Sequence, residues 1–491
     1  MTEKVVIQRL PTGVPGLDAL LTGGLAEYSF NLIAGAPGSG KTTLAHQIMF
    51  SLASPARKAL FFTVLGEPPL KMLRYQQQFS FFDTSKVNES IRFINLADDL
   101  AAGNYAQVLA RIVEEIERFQ PALVVVDSFR SVVGAAPTVG KDELDLQHFV
   151  QRLGMVLTAW QATTFLIGEY VEMEAEANPL FTVADGILWM SQEVERNSTV
   201  RKIQVMKMRG HATIPGLHTF RIGDDGVRIF PRTVPRLPEL PSRAAADRDV
   251  TPARLSMGIA GLDELMGGGL PAGYSLLLSG PSGAGKSQLA AAFLAEGARR
   301  GEKGVIAAFE RSPARARKTR LDELIASGQV AVVDTQGLDM SVDETLFALT
   351  EQIERNGASR VVIDSLSGLE LSLAPSFRED FREALHRMVS VLTGMGTTVL
   401  LVSELEDRYG ELRFSPYGAA FLTDAIVVQR YVEMGGQIKR VMGVVKLRNS
   451  AHSHDLRPYE ITEDGLVIGP RIVNMDALLT GHPRPLASPG A

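Results

Sequence analysis

The sequence predicts an α/β protein made of two successive domains, each a mostly parallel central sheet covered by helices. Three observations carry that expectation. A glycine-rich segment occurs twice, as GAPGSGKTT at residues 35–43 and GPSGAGKSQ at residues 280–288. The flanking segments match in the same order, TGVPGLDALLTGGL (12–25) with MGIAGLDELMGGGL (257–270), and DGILWMSQEVERNSTVRKIQVMKMRG (185–210) with DAIVVQRYVEMGGQIKRVMGVVKLRN (424–449). Single matches arise by chance, whereas ordered matches across a whole domain length mark a duplication. Finally, short uninterrupted apolar runs alternate with amphipathic ones, the pattern of parallel strands buried on both faces and helices that cover them.

In each copy a strand, FNLIAG (30–35) or YSLLLSG (274–280), runs into the glycine-rich loop, and a helix follows, TTLAHQIMFSLA (42–53) or SQLAAAFLAEGARR (287–300). KALFFTV (58–64) and GVIAAF (304–309) read as second strands. YAQVLARIVEEIERF (105–119) places Val108, Leu109, Ile112 and Ile116 on one helical face and leads to the strand ALVVVD (122–127). TLFALTEQIERNG (345–357) and RVVIDS (360–365) repeat that pair. Proline and charge fill PRTVPRLPELPSRAAADRDVTPA (231–253), which offers little to bury. The expected division is a first domain over 1–232, a linker over 233–252, a second domain over 253–474 and a loosely held tail over 475–491.

The totals agree with this division. A chain of 491 residues is too long for one ordinary core and suits two large ones. Its net charge of −6 gives no overall attraction to nucleic acid. Without cysteine, disulfides, thiolate chemistry and zinc–sulfur sites are excluded. His452 and His454 lie close together, but in a polar turn-like segment they read as solvated. No signal-type segment is read and no apolar run approaches the ~18 residues of a membrane span. The expectation is a soluble, cytoplasmic protein.

Both loops satisfy G-x-x-x-x-G-K-[ST], a backbone cradle for phosphate. Gly35, Pro37, Gly38, Ser39, Gly40, Lys41, Thr42 and Thr43 form the first candidate site. Gly280, Ser282, Gly283, Ala284, Gly285, Lys286, Ser287 and Gln288 form the second. The glycines let N–H groups face phosphate oxygens, the lysines Lys41 and Lys286 reach the outer phosphates, and the helix N-terminus favours the anion. ATP or ADP with Mg2+ is the implied ligand, with Thr42 and Ser287 as metal ligands. Asp127 and Asp364, each closing an apolar strand and followed by serine, are the carboxylates expected beside that metal.

Hydrolysis also needs a group that positions or deprotonates water. In the second copy Glu310 follows the second strand, in AFERSP; the first copy has TVLGEPP, which offers Glu67. Alignment on the proline sets Glu67 opposite Arg311, and alignment on the strand sets Leu65 opposite Glu310; the sequence leaves both open. Each copy further carries a basic pair in a strand-like run, Lys207 with Arg209 and Lys446 with Arg448. Alternate positions place each pair on one face. They read either as surface cations or as charges delivered to a neighbour's γ-phosphate, the latter requiring an oligomer.

With the tandem loops, the TGVPGLDALLTGGL repeat, VVVDS and VVIDS, TDAIVVQRYVEM and the KMRG and KLRN segments in order, residues 8 to 474 resemble the KaiC family of RecA-like P-loop ATPases, named for a cyanobacterial circadian clock protein. The resemblance implies a homohexameric double ring with ATP between subunits, slow hydrolysis in both tiers, and a Glu–Glu catalytic pair. Glu310 matches the first of that pair, with Arg311 in place of the second; in the first domain the pair is broken as Gly66–Glu67 or lost. Lys207, Arg209, Lys446 and Arg448 match the family's trans-acting basic positions. The family's adjacent autophosphorylated Ser and Thr correspond to Ala420 and Phe421, which have no hydroxyl.

The leading functional expectation is therefore a Mg-dependent hexameric ATPase acting as a nucleotide-state switch, with a regulatory protein partner of unspecified kind. A DNA-binding motor is the first alternative. The loop SFRSVVGAAPTVGKDELDL mixes Arg130 and Lys141 with Asp142, Glu143 and Asp145, and no aromatic–basic interleaving supports nucleic acid binding. An ATP-retaining scaffold with little turnover is the second.

Overall fold

The computed structural model describes residues 7–63, 69–101, 105–127, 152–156, 159–170, 179–195, 197–232, 253–309, 320–333, 335, 339–405, 418–463, 465–473, 475–476, 478 and 484–485. The expected linker at 233–252, most of the tail, Glu67, Glu310 and the loop carrying Arg130 and Lys141 lie outside these residues. The chain divides into two compact units, Met1–Arg232 and Thr233–Ala491.

In the first unit the elements that matter are β1 (Phe30–Gly35), α1 (Lys41–Leu52), β2 (Ala59–Thr63), β3 (Ile91–Asn95), α2 (Tyr105–Phe119), β4 (Leu123–Asp127) and β5 (Thr163–Glu169). They are followed by α3 (Pro179–Val183), β6 (Gly186–Glu195), β7 (Ser198–Met208), β8 (His218–Gly223) and β9 (Gly226–Phe230). One nine-stranded sheet runs β3-β2-β4-β5-β1-β6-β7-β8-β9. The first six strands in that order are parallel, and β7 to β9 continue the sheet as an antiparallel wing.

The continuous apolar runs have a direct cause. Leu32 and Ala34 face one buried cluster with Val124 and Val126, while Ile33 faces the opposite cluster with Leu123 and Val125. A strand covered on both faces has no polar side to alternate with. Helix α2 buries Val108, Ile112 and Ile116 and half-buries Leu109, the face expected from their spacing.

The second unit repeats the plan with β10 (Ser275–Gly280), α4 (Lys286–Arg299), β11 (Lys303–Ala308), β12 (Val330–Val333), α5 (Val342–Asn356), β13 (Ala358–Asp364), α6 (Phe381–Gly394) and β14 (Thr398–Glu404). It closes with α7 (Ala419–Leu422), β15 (Ala425–Met434), β16 (Gln437–Leu447), β17 (Arg457–Thr462) and β18 (Gly465–Ile468). Its sheet order, β12-β11-β13-β14-β10-β15-β16-β17-β18, is that of the first unit.

Two details differ from the sequence reading. Helix α5 begins at Val342, before Thr345, because the Ser341 side chain caps it by accepting the Glu344 N–H at 3.1 Å. The runs around the basic pairs resolve into long hairpins, β6–β7 and β15–β16, that extend each parallel sheet with antiparallel strands. Among the described residues, no helix is long and apolar enough to cross a membrane.

Candidate functional site

Each phosphate loop joins the carboxyl end of the strand at the centre of its sheet to the first turn of a helix that begins at the lysine. The N-cap residues Gly40 and Gly285 adopt the left-handed region, φ 98° and 90°. A Cβ there would also lie 2.6 Å from Ile222 Cδ1 and 2.9 Å from Ile461 Cδ1, so glycine is required twice over. The wing strands β8 and β17 thus press on the loops from outside.

In the first site the Thr42 hydroxyl donates to Asp127 Oδ2 at 2.7 Å. Hydroxyl and carboxylate, predicted from opposite ends of a long intervening segment, meet at one point because β4 lies only one strand from β1. Burial pushes the Asp127 carboxyl up to about 6, against the Thr42 hydrogen bond and the Lys41 charge that favour its ionised form; the Glu169 charge acts with burial. Burial also lowers Lys41, while Glu169 and Asp127 hold it up. Lys41 Nζ donates to Ala36 O at 2.7 Å, and Lys286 Nζ donates to Gly280 O and Pro281 O at 2.8 and 2.9 Å. Both ammonium groups therefore lie over their own loops. In the second site Asp364 closes β13, paired with Ala308, as Asp127 closes β4, paired with Thr63. Hydroxyl and carboxylate oxygens beside a buried lysine are the donors expected for Mg2+ and polyphosphate.

Glu169 was missed by the sequence reading. It ends β5 in register with Gly35, and Glu404 ends β14 in register with Gly280. Its signal was visible, a glutamate closing each of the apolar runs TTFLIGE and TVLLVSE.

The basic pairs are found elsewhere. Lys207 Nζ donates to Phe181 O and Thr182 O at 3.1 and 2.8 Å, and Arg209 to Thr182 O and Asp185 Oδ1, both at 3.2 Å. In the second unit Lys446 donates to Ala420 O and Thr423 O, and Arg448 to Phe421 O and Asp424 Oδ1. Each pair thus grips the carbonyl end of a short helix, α3 or α7, where cations are favoured. Burial, then the neighbouring arginine, lowers both lysines. Asp185 also accepts the Phe30 N–H at 3.0 Å, and Asp424 accepts the Ser275 N–H at 3.0 Å. Phe30 and Ser275 open the very strands whose far ends carry the loops.

A strand that feeds a phosphate loop and helix, with a carboxylate closing the next strand but one, defines a RecA-like P-loop ATPase domain, and this chain has two. The family model for the ATPase KaiC matches residues 10–234 and again 255–472. The chain belongs to the KaiC family and is an ATPase. It is 27% identical to the circadian clock oscillator protein KaiC of Picosynechococcus sp., over 98% of this chain and 93% of the relative. It is 26% identical to the protein of that name from Rippkaea orientalis, over 97% and 92%, and 25% identical to circadian clock oscillator protein KaiC 1 of Synechocystis sp., over 97% and 92%.

Proposed function

We propose that this ATPase works as a closed hexameric double ring in which each nucleotide lies between neighbours, and that its slow turnover sets the shape presented to a regulatory partner. The position of the basic pairs supports the ring. Asp185 holds Arg209 and the first residue of β1, whereas the phosphate loop begins at its last, Gly35. Five residue steps of strand separate those ends by roughly 16 Å, beyond the reach of an arginine side chain. The same holds for Arg448, through Asp424, and the strand Ser275–Gly280. If these cations serve a γ-phosphate, it belongs to another subunit.

Turnover is assigned mainly to the second domain. Thr63 pairs with Asp127 and Ala308 with Asp364, so the two strand ends are equivalent. Counting onward sets Leu65 opposite Glu310, which supports the strand alignment and leaves the first domain without a matching base. Glu310 is proposed as the group that activates water, Glu67 as a lesser candidate, and the first domain as the assembly or regulatory tier. Thr42 and Asp127, or Ser287 and Asp364, would hold Mg2+, which would supply charge neutralisation to the polyphosphate. The loop N–H groups and lysines bind and orient the polyphosphate, and Arg448 and Lys446 stabilise the charge on a neighbour's nucleotide. With Ala420 and Phe421 at the matched positions, autophosphorylation does not occur there.

The test is complementation. Subunits carrying Lys286→Ala and subunits carrying Arg448→Ala are each expected to be inactive at the second tier. Co-assembled in equal amounts, a ring with trans cations recovers roughly a quarter of the sites, those pairing an intact lysine with an intact neighbouring arginine. No recovery in mixed rings would place the arginine in its own subunit's site and sink the proposal.

A further inference from the structure

The two phosphate loops are alike in sequence but are not held alike. In the second unit the Tyr459 hydroxyl, on β17, donates to the Ala284 carbonyl at 2.6 Å. The Tyr431 hydroxyl, on β15, donates to the Ser282 carbonyl at 3.3 Å. Tyr459 is 3% exposed, so its hydroxyl has few alternatives to this bond. Both acceptors belong to the loop itself.

The equivalent positions of the first unit are fixed by strand register. Tyr459 pairs with Ile468 as Phe220 pairs with Ile229, and Gly285 meets Ile461 as Gly40 meets Ile222. Phe220 therefore stands where Tyr459 does, and it has no hydroxyl. By the same hairpin correspondence, Gln192 stands for Tyr431 and Met190 for Gln429. Ser39, the counterpart of Ala284, has a buried hydroxyl without a hydrogen-bond partner among the described residues. On the loop-facing side of the wing, the second unit is thus polar where the first is apolar or exposed.

The consequence follows from the peptide unit. Across a trans peptide the carbonyl and the next N–H point in opposite directions. Ala284 O shares a peptide with Gly285 N–H, and Ser282 O shares one with Gly283 N–H. Hydroxyls that draw both carbonyls toward the wing turn both N–H groups away from it, toward the concave side where phosphate oxygens are bound. Gly283 and Gly285, at φ 76° and 90°, are the residues of the loop most free to turn otherwise.

We propose that Tyr459 and Tyr431 are positioning residues that pre-orient the Gly285 and Gly283 N–H groups for a nucleoside diphosphate or triphosphate, in the second domain only. The first loop must be ordered by the nucleotide itself. This rests on the reading of both loops as nucleotide sites, and it predicts that their affinities are unequal.

The test uses the full-length chain carrying Lys41→Ala, so that Mg·ADP binding reports the second site, with ATP hydrolysis measured alongside. Tyr459→Phe keeps the ring and removes one hydrogen bond, for which about fivefold weaker ADP binding is expected. Tyr431→Phe, with the longer and exposed bond, is expected to cost about twofold. Because these N–H groups bind ground state and transition state alike, KM for ATP rises and kcat stays within about twofold. A general loosening of the domain would instead lower kcat and melt the unit earlier. In the Lys286→Ala background, which reports the first site, Tyr459→Phe leaves ADP affinity as it was. Unchanged ADP affinity in both tyrosine variants overturns the proposal while leaving the nucleotide site standing. Failure of both the wild type and the Lys41→Ala parent to bind ADP overturns the nucleotide reading and the proposal together.

Discussion

Replacing Asp127 by asparagine should make the nucleotide-free protein more stable while weakening Mg-nucleotide binding at its first site. The carboxyl is buried and its pKa stands at about 6, against an ordinary 3.8, because burial outweighs the Thr42 and Lys41 contributions. The sign follows from proton counting. Between these two values the folded state holds more protons than the unfolded state, so stability falls as pH rises through the window and is flat above it. A shift of about two units is worth about 3 kcal/mol at pH 8, the cost of keeping the ionised carboxylate in place. Near pH 5 most of the folded population is protonated at Asp127, and the cost shrinks to about half. In Asp127→Asn the amide oxygen still accepts the Thr42 hydrogen bond, and the side chain has no charge to bury. Urea unfolding of the full-length protein at pH 8 and pH 5, with hydrogen exchange at β4 to localise the transition to the first unit, gives the comparison. The variant should exceed the wild type by about 3 kcal/mol at pH 8 and about half that at pH 5. Equal stability at pH 8, or a gap that does not narrow on acidification, would refute the reasoning.

Four further outcomes are expected. His46 is buried, stacked on Phe61 at 4.6 Å between ring centroids, and burial lowers it to about 4. Its contribution is present above its ordinary 6.5 and lost as pH falls toward 4, opposite to Asp127, so His46→Phe should flatten the acid limb of the first unit's unfolding curve. Arg360 is fully buried, bonded to Glu302 at 2.6 Å and to the Ser256 and Phe293 carbonyls, so Arg360→Ala should cost the second unit about 3–5 kcal/mol in chemical denaturation. A Cβ on Gly297 would lie 2.6 Å from Arg360 Cδ; Gly297→Ala should therefore destabilise the wild type but be tolerated beside Arg360→Leu, a coupling of about 1–3 kcal/mol in a double-mutant cycle. Glu310→Gln should cut steady-state ATPase activity at least about 100-fold at the second site while ADP binding persists, and unchanged hydrolysis would remove Glu310 from its role.

The binding half of the site was legible because it is written locally. Strand, glycines, lysine and hydroxyl follow one another within about a dozen residues, and in the proposed site it is the backbone that binds. Asp127 and Asp364 were also within reach, since a carboxylate closing an apolar strand is a visible pattern. Glu169 and Glu404 show the same pattern, but their link to the loop is a parallel pairing with Gly35 and Gly280 that joins distant segments. The antiparallel wing was hidden for a related reason. Its strands are buried at one end and exposed at the other, as in GILWMSQEVE, so neither an alternating nor a continuous apolar pattern runs through them.

That contrast bears on how the two copies diverged. Both loops keep the glycines and lysine, because N–H groups bind phosphate whatever surrounds them. Beyond the changes within the loops, substitutions between copies fall on side chains that reach the loop from the wing of the sheet. Phe220 stands for Tyr459 and Met190 for Gln429 on the wing. Even away from the nucleotide, the Leu52 and Leu123 of one core become Gly297 and Arg360 in the other, a pair that must change together because the guanidinium occupies the space a Cβ would need. A duplicated motif is therefore sound evidence that both sites bind. It says little about whether they hold or turn over nucleotide equally, since those properties depend on contacts that only the sheet brings together.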